Sequence, residues 1–344
     1  MKIVIDDNIP YIKGRLEPVA DVVYTDQWGF TPEIVKDADA VIIRTRTRCN
    51  ESLLGGSSVR LVATATIGTD QIDIPWCEGH GITVRNSPGC NAPAVAQYVW
   101  SALLRSGFDP AHHTLGLVGC GNVGGIVLEW AQKLGAKVLV SDPPLEEKLR
   151  RGEVDSEKRE SLSGVEFAPL ERVMSEADAV TLHTPLTKFG DHPTHHLIGE
   201  RELSLMQPNA ILVNAARGPV VDFKALKPAV LSGRIRAIVD TWEEEPIVDS
   251  ELLDRVLFGT FHIAGYSRQG KERATRMVLE AVEDTFGVSV DKSGLTGAYE
   301  CPSSLSAESI VASYNPLVDT LPLRQDPTSF DTLRRNYNYR EETK

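Results

Sequence analysis

Four side chains suited to binding an acid and moving its protons follow apolar segments in the second half of the sequence. Arg217 comes after AILVNAA, and His262 lies within FHIAGYS. Asp240 and Glu245 come after IRAIV. An arginine can clamp a carboxylate with two parallel hydrogen bonds, a histidine can accept a hydroxyl proton, and a carboxylate beside a histidine favours its protonated form. Oxidation of a 2-hydroxy acid needs these residue types. Singly, each also suits an ordinary role, such as a surface ion pair, a structural histidine or a solvated acidic turn.

The elements that must position these side chains form two series of strands and helices. We interpret as strands the apolar segments KIVIDD, DVVYT, AVIIRTR and LVATAT, and later TLGLVGCG, KVLVSD, AVTLHTP, AILVNAA and IRAIVDTW. Apolar strands that alternate with helices are typical of parallel sheets covered on both faces. The sequence therefore predicts an α/β fold with two doubly wound parallel-sheet domains. Ligands of such sheets bind at the carboxyl ends of strands, where Arg217, Asp240 and His262 are expected to lie.

A glycine-rich segment has the spacing of a dinucleotide-binding loop. Gly119, Gly121 and Gly124 form a Gly-x-Gly-x-x-Gly pattern between a strand and an amphipathic helix, and the next strand ends at Asp142. The three glycines permit a tight turn, close approach of a pyrophosphate and packing of the helix on the sheet, respectively. The helix start near Asn122 offers N–H groups to phosphate. Asp142 suits ribose hydroxyls and repels a 2′-phosphate, so the pattern predicts NAD rather than NADP. A glycine turn without a ligand is the alternative.

Three arginines alternate in RTRTR, which follows the apolar run VII. Arg44, Arg46 and Arg48 point to one side if the strand continues through them. Like charges on one face repel, so a bound phosphate is one explanation for the cluster, since charge-assisted hydrogen bonds to phosphate are strong. We expect Arg44 and Arg46 to be the phosphate ligands. Exposed arginines that pair with nearby acids are the alternative.

Composition excludes several functional classes. The net charge of −12 and the pI near 5.2 argue against a nucleic-acid partner. No apolar run reaches the ~20 residues of a membrane span, and the segment MKIVIDD has no signal-peptide layout. The five cysteines are scattered and lack CxxC spacing, which favours reduced thiols in a cytoplasmic protein. We also expect no metal at the histidines of GDHPTHHLIG, which are His192, His195 and His196.

Several segments, in their order along the chain, resemble the D-isomer-specific 2-hydroxyacid dehydrogenases. The similarity extends over ATIGTDQIDI, GCGNVGGIV, HTPLT, LVNAARGPVVD, VDTWEEEP and HIAGY. Within the family, DDNIPY, RTRTRCNESLL, SPGCNAPAVAQYV, HIAGYSRQGK and PLRQDPTSFDTLRRNY are similar to members that oxidise 4-phospho-D-erythronate. The resemblance implies NAD-dependent oxidation of this acid to 2-oxo-3-hydroxy-4-phosphobutanoate, a step of pyridoxal 5′-phosphate biosynthesis. The alternatives are members that act on 3-phosphoglycerate or on glyoxylate and hydroxypyruvate, and non-catalytic NAD-sensing proteins.

The resemblance also implies roles for individual residues. Arg217 orients the substrate, Glu245 is the partner of the histidine, and His262 is the general acid–base. Further substrate positions are Thr45, Thr66 and Tyr266. The implied NAD positions lie in the glycine-rich loop and after later strands: Gly119, Gly121, Asn122, Val123, Gly124, Asp142, Thr184, Ala215, Ala216, Arg217, Asp240 and Gly265.

The resemblance and the changes of composition along the chain predict three parts. Residues 1–92 form a flavodoxin-like substrate-binding domain, which residues 266–286 complete. A Rossmann-type NAD domain, residues 93–265, is inserted in it, and residues 287–344 form a small C-terminal dimerisation segment. The expected partners are a phosphorylated hydroxy acid and a second copy of the chain, and the expected localisation is the cytoplasm.

Overall fold

Twelve short segments form the strands of two parallel sheets in the computed structural model, which describes residues 1–344. The strands are β1 (Lys2–Asp6), β2 (Asp21–Thr25), β3 (Ala40–Ile43), β4 (Leu61–Thr64), β5 (Thr83–Arg85), β6 (Thr114–Val118), β7 (Lys137–Ser141), β8 (Glu166–Phe167), β9 (Ala179–Leu182), β10 (Ile211–Asn214), β11 (Arg236–Val239) and β12 (Phe258–Gly259). Every strand pairing is parallel. The prediction of an α/β fold with two parallel-sheet domains is confirmed.

Helices lie between all consecutive strands except β1 and β2, as the alternating sequence predicts. They are α1 (Pro32–Val35), α2 (Glu51–Leu54), α3 (Ile74–Gly79), α4 (Ala92–Arg105), α5 (Asn122–Leu134), α6 (Pro143–Arg151), α7 (Ser156–Ser161), α8 (Leu170–Glu176), α9 (Glu200–Leu205), α10 (Phe223–Leu231), α11 (Ser250–Arg255), α12 (Arg268–Phe286), α13 (Ala307–Ser313), α14 (Leu317–Gln325) and α15 (Phe330–Arg335), with 3₁₀ turns at Gly218–Val220 and Pro327–Ser329. The helices α5 and α12 each end at a glycine in the left-handed region, Gly135 and Gly287. None of the helices combines the length and the apolar character that crossing a bilayer demands.

Unit 1 comprises Met1–Asn91 and Ser267–Glu300. Its sheet has the strand order β2-β1-β3-β4-β5, which is the flavodoxin-like order. Every residue of β3 and β4 is buried, as expected for central strands covered on both faces. The helix α12 begins after Ser267, whose hydroxyl accepts the N–H of Gly270, and it packs against β4. The strand order reverses between β1 and β3, and this reversal marks where such sheets bind ligands.

Unit 2 comprises Ala92–Tyr266 and Cys301–Lys344. Its seven strands lie in the order β12-β11-β10-β9-β6-β7-β8, so the order reverses between β6 and β9. The helix α4 is buried along most of its length, and α13 packs against it. The helix α14 packs against β12 and α11. The structure therefore divides the predicted C-terminal segment, because residues 287–300 belong to unit 1 and residues 301–344 belong to unit 2.

The arginine run does not continue the strand before it. β3 ends at Ile43, which pairs with the last residue of β4, so no ladder partner remains beyond it. Arg44 and Arg46 lie in the following loop, where the alternation of a strand does not apply. The Arg44 guanidinium donates to the backbone oxygen of Asn8 at 3.0 Å, and the side chain of Gln71 donates to the oxygen of Arg44 at 2.7 Å. The loop therefore lies against the end of β1, at the switch point of unit 1.

Candidate active site

The glycine-rich loop joins β6 to α5 at the switch point of unit 2. Gly119 has a φ of +87°, and a Cβ added there lies 2.9 Å from the carbonyl carbon of His183. A Cβ at Gly124 lies 2.1 Å from the oxygen of Gly119, so the loop and the helix start touch backbone to backbone. By contrast, a Cβ at Gly121 meets nothing within 4 Å. The loop thus needs its first and third glycines for packing, and it leaves space beside the second.

Asp142 holds the glycine-rich loop in place. One carboxylate oxygen accepts the N–H of Cys120 at 2.7 Å, and the other accepts the N–H of Leu145 at 3.0 Å at the start of α6. The residue therefore ties β7, the loop and the next helix together, in addition to its predicted contact with ribose hydroxyls. Lys158 is a cation at the same loop, because its ammonium group donates to the oxygen of Cys120 at 3.1 Å. No sequence motif marks Lys158, since it lies in the charged segment SEKRES.

The loop after β9 borders the same switch point. The His183 ring lies 3.0 Å from the Thr181 hydroxyl, and burial lowers the pKa of His183 to about 3. This imidazole is therefore neutral near pH 7, which suits a structural role and not acid–base catalysis. The hydroxyl oxygen of Thr184 is buried without a hydrogen-bond partner.

These features fit a bound dinucleotide. Buried polar atoms normally have hydrogen-bond partners, so the unpartnered Thr184 oxygen suits a ligand contact. The space beside Gly121 suits a pyrophosphate, and the first turn of α5, which includes Asn122 and Val123, offers N–H groups and the positive end of the helix dipole. The predicted NAD contacts of Ala215, Ala216 and Gly265 lie in loops after β10 and β12 and stay predictions.

A histidine–carboxylate pair lies at the carboxyl ends of β11 and β12. The Nδ1 atom of His262 is 2.8 Å from one oxygen of Glu245, and the other oxygen accepts the N–H of Trp242 at 2.8 Å. Burial raises the pKa of Glu245, but the charge of His262 and the hydrogen bonds outweigh burial and hold this pKa below its usual value. The structure thus brings together the predicted base and its predicted partner, which lie 17 residues apart in the sequence.

Asp240 holds the loop that carries His262. Its side chain is 1% exposed, and one oxygen accepts the hydroxyl of Thr260 at 2.6 Å and the N–H of Ile263 at 2.8 Å. The other oxygen accepts the N–H of Ala264 at 3.0 Å. These bonds show that Asp240 holds this loop, a role that no local sequence pattern indicates. Its implied NAD contact stays a prediction.

Arg217 follows β10 and is half-buried. Its guanidinium donates to the oxygen of Ala216 at 2.8 Å, and the side chain of Asn214 donates to the oxygen of Arg217 at 3.1 Å. A Cβ at Gly218 lies 1.9 Å from the oxygen of Trp242, so only glycine fits there. The loop with Arg217 therefore packs directly against the turn that leads to Glu245.

Of the other predicted substrate residues, Tyr266 belongs to unit 2, whereas Thr45 and Thr66 belong to unit 1. Tyr266 has edge-on contacts with the rings of Tyr337 and Tyr339 from the C-terminal residues of unit 2. In unit 1, the Thr66 hydroxyl lies 2.7 Å from the Thr64 hydroxyl, whereas Thr45 is exposed in the arginine loop. Their contacts with a substrate stay predictions.

Two histidines of GDHPTHHLIG, His195 and His196, stack with their ring centroids 4.0 Å apart. His192 lies 3.3 Å from a carboxylate oxygen of Glu147, whereas His196 lies 2.5 Å from Glu243. Potential ligand atoms of His196, Asp222 and Glu243 lie within 4.8 Å of one another. Both acids also accept backbone N–H groups near the start of α10, at Lys224 and Phe223, so local hydrogen bonding accounts for the group.

The sequence has relatives among proteins with an assigned activity. Residues 84–264 match the family model for the NAD-binding domain of D-isomer-specific 2-hydroxyacid dehydrogenases, which confirms the predicted cofactor. The chain is 42% identical to an erythronate-4-phosphate dehydrogenase of Bacteroides thetaiotaomicron, across 100% of this chain and 98% of that protein. It is 39% identical to an erythronate-4-phosphate dehydrogenase of Klebsiella pneumoniae, across 99% of this chain and 92% of that protein.

Solved structures share the fold. A D-lactate dehydrogenase of Aquifex aeolicus, complexed with NAD and lactic acid, superposes with a TM-score of 0.65 at 23% identity, across 82% of this chain and 94% of that chain. A D-2-hydroxyisocaproate dehydrogenase superposes with a TM-score of 0.65 at 22% identity, across 84% of this chain and 98% of that chain. At these identities, the likeness establishes the architecture of the two parallel-sheet units.

Proposed function

Because the chain belongs to the D-isomer-specific 2-hydroxyacid dehydrogenase family, we propose that it oxidises 4-phospho-D-erythronate with NAD to 2-oxo-3-hydroxy-4-phosphobutanoate. The observation that carries the chemistry is the 2.8 Å contact between His262 and Glu245 in the unit that holds the dinucleotide loop. The choice of substrate is supported by the full-length similarity to erythronate-4-phosphate dehydrogenases.

His262 is the proposed base that takes the proton of the C2 hydroxyl. If its Nδ1 atom donates to Glu245, the other ring nitrogen is left unprotonated and can accept that proton. The lowered pKa keeps Glu245 ionised, so the carboxylate stabilises the imidazolium that forms. NAD held at the glycine-rich loop would supply the acceptor for the hydride of C2.

Arg217 is the proposed ligand of the substrate carboxylate. A guanidinium has five N–H donors in a planar fork, and the oxygen of Ala216 takes one of them at 2.8 Å. The backbone of Arg217 is fixed by Asn214, and the tight packing at Gly218 fixes the next residue. Because this backbone is rigid, the guanidinium is oriented before the substrate binds. This reduces the conformational entropy that is lost on binding.

The arginine loop of unit 1 is the proposed ligand of the substrate phosphate. Arg44 lies at the switch point of a flavodoxin-like sheet, where ligands of this fold bind. Arg46 is exposed in the same loop. We propose that these two arginines contact the phosphate and that Thr45, Thr66 and Tyr266 contact the rest of the substrate.

The proposed assembly is a homodimer in the cytoplasm. The helix α14 leaves three large apolar side chains exposed, Leu317, Val318 and Leu321. Exposed apolar clusters of this kind favour association, and a second copy of the chain is the proposed partner. None of the five cysteines forms a disulfide, which is the state expected in a reducing compartment.

The test is the rate of NADH formation by the purified full-length chain with 4-phospho-D-erythronate, D-erythronate and 3-phospho-D-glycerate. We expect kcat/KM to be at least about 100-fold higher for 4-phospho-D-erythronate than for D-erythronate, because loss of the charge-assisted phosphate contacts costs about 3 kcal/mol. Reduction of a 2-oxo acid is measured in parallel, in case NADH dissociates slowly. Equal rates on the three acids, or no turnover in either direction, would contradict the proposal.

A further inference from the structure

Arg340, close to the C-terminus, reaches the loop that carries His262. We propose that Arg340 is a positioning residue, which fixes the backbone of residues 261–266 and thereby holds His262 in its catalytic orientation. The proposal rests on the proposed role of His262 as the base. Both residues belong to unit 2.

The guanidinium of Arg340 donates mainly to backbone carbonyl groups. Its Nη1 atom donates to the oxygen of Ile263 at 2.9 Å and to that of Tyr266 at 3.2 Å. Its Nη2 atom donates to the oxygen of Ala264 and, at 3.0 Å, to that of Ala94 in α4. A planar fork can reach several carbonyl groups at once, whereas a lysine ammonium acts as a compact point charge. The loop after β12 is thus joined to α4 through one side chain.

Two further contacts orient the guanidinium itself. Its Nε atom donates to the side-chain oxygen of Gln97 at 3.0 Å, and Gln97 is fully buried in α4. The guanidinium also lies over the ring of Tyr314, 4.4 Å from the ring centroid. The ring of Tyr314 thus covers the face of the guanidinium, and hydrogen bonds occupy its edge, so the Arg340 side chain has little freedom to move away from the loop.

Hydrogen bonds hold the loop of residues 261–266 through both its N–H groups and its carbonyl oxygens. The carboxylate of Asp240 accepts the N–H groups of Ile263 and Ala264, and Arg340 donates to the oxygens of the same two residues. Between these anchors and β12, His262 has a φ of +59°. A non-glycine residue in the left-handed region costs on the order of 1–3 kcal/mol and persists only where its surroundings hold it. Loss of Arg340 therefore removes the side-chain contacts to the oxygens of Ile263 and Ala264 and leaves those of Asp240 to the N–H groups of the same residues.

Arg324 offers a matched control from the same C-terminal segment. Its Nε and Nη2 atoms donate to the oxygens of Leu253 and Val256, at 3.1 and 2.6 Å. These contacts also join residues 301–344 to the rest of unit 2, but they lie at α11 and not at residues 261–266. Arg324→Ala thus removes a similar anchor and leaves the His262 loop with its contacts.

The experiment is a double-mutant cycle in the full-length chain, with Arg340→Ala, His262→Ala and the two combined. We expect Arg340→Ala to lower kcat by about 10- to 100-fold and to change the NAD dissociation constant by less than about threefold, because a slightly misplaced base loses much of its effect. In the His262→Ala background, the same change should lower kcat by less than about twofold. Arg324→Ala should leave kcat within about twofold of the wild type, even where the melting temperature falls.

An equal loss of kcat in both backgrounds would overturn the proposal, because it shows that Arg340 acts independently of His262. An unchanged kcat in Arg340→Ala would overturn it as well. Failure of the proposed function is distinguishable, since the wild type then shows no turnover or no preference for 4-phospho-D-erythronate, whereas failure of the role of His262 leaves His262→Ala with wild-type turnover. If Arg340→Ala does not fold, Arg340→Lys replaces it in the cycle, because lysine keeps the positive charge but lacks the planar set of donors. An equal loss of kcat in both backgrounds, or an unchanged kcat in Arg340→Lys, would then overturn the proposal.

Discussion

Replacement of Glu245 by glutamine should keep one of the two hydrogen bonds that the carboxylate accepts and abolish the other. In the wild type, one carboxylate oxygen accepts the N–H of Trp242 and the other contacts Nδ1 of His262, both at 2.8 Å. Glutamine has one oxygen and one NH₂ group. If the oxygen keeps the N–H of Trp242, the NH₂ group faces Nδ1 and demands an acceptor there, so the imidazole carries its proton on the other nitrogen. That is the nitrogen proposed to receive the substrate proton.

We therefore expect Glu245→Gln to lower kcat by about 10²- to 10⁴-fold. General base catalysis contributes about this much, which corresponds to about 2.7–5.5 kcal/mol in the activation free energy. NAD binding should change by less than about threefold, because the dinucleotide loop lies elsewhere in unit 2. NADH formation and NAD titration measure the two quantities. Glu244→Gln, an exposed neighbour in the same turn, is the matched control and should keep wild-type kcat.

The same substitution should alter the pH dependence of stability. The pKa of Glu245 in the folded protein lies below its ordinary value of 4.5, so the folded state binds fewer protons at this carboxyl than the unfolded chain does. The resulting stabilisation is complete above pH ~4.5 and is lost as the pH falls through the lowered pKa. Denaturant unfolding of wild type and Glu245→Gln should thus show free energies of unfolding that converge at acid pH. A kcat within about threefold of wild type, or a stability difference independent of pH, would refute the reasoning.

Three further predictions concern the base, the dinucleotide loop and the arginine loop. His262→Ala should lower kcat by about 10²- to 10⁴-fold with NAD affinity nearly unchanged, and equal losses in both would contradict its role. Gly121→Ala should weaken NAD binding by at least about tenfold at an unchanged melting temperature, whereas Gly124→Ala, whose Cβ lies 2.1 Å from backbone, should lower the melting temperature. NAD titration and thermal unfolding check this pair, and the reverse pattern would contradict it. Arg46→Ala should raise KM for 4-phospho-D-erythronate by about 10- to 100-fold, since a charged hydrogen bond contributes about 1.5–3 kcal/mol. Arg48→Ala is the control, and an unchanged KM in Arg46→Ala would remove Arg46 from the phosphate site.

Features that depend on local chain geometry could be predicted from the sequence. The first and third glycines of the fingerprint are required by a positive φ and by contact between backbones a few residues apart. The alternation of apolar strands with helices fixed the parallel sheets, since such strands must be buried on both faces. The end of β3 could not be predicted in this way, because a strand ends where its partner ends, and the partner β4 begins about 20 residues further along the chain.

The contacts that organise the candidate site depend on the tertiary structure. Asp142 bonds to Cys120, 22 residues away, so its loop-holding role is absent from any local pattern. The sequence determined by itself which elements form and which residue types stand at strand ends, because backbone sterics and hydrophobic periodicity act over a few residues. Arg340 and Ile263 are 77 residues apart, and only the packing of residues 301–344 within unit 2 brings them together. Hydrogen bonds over such separations are set by the positions of whole elements, and this is why the tertiary structure alone decided how His262 is held.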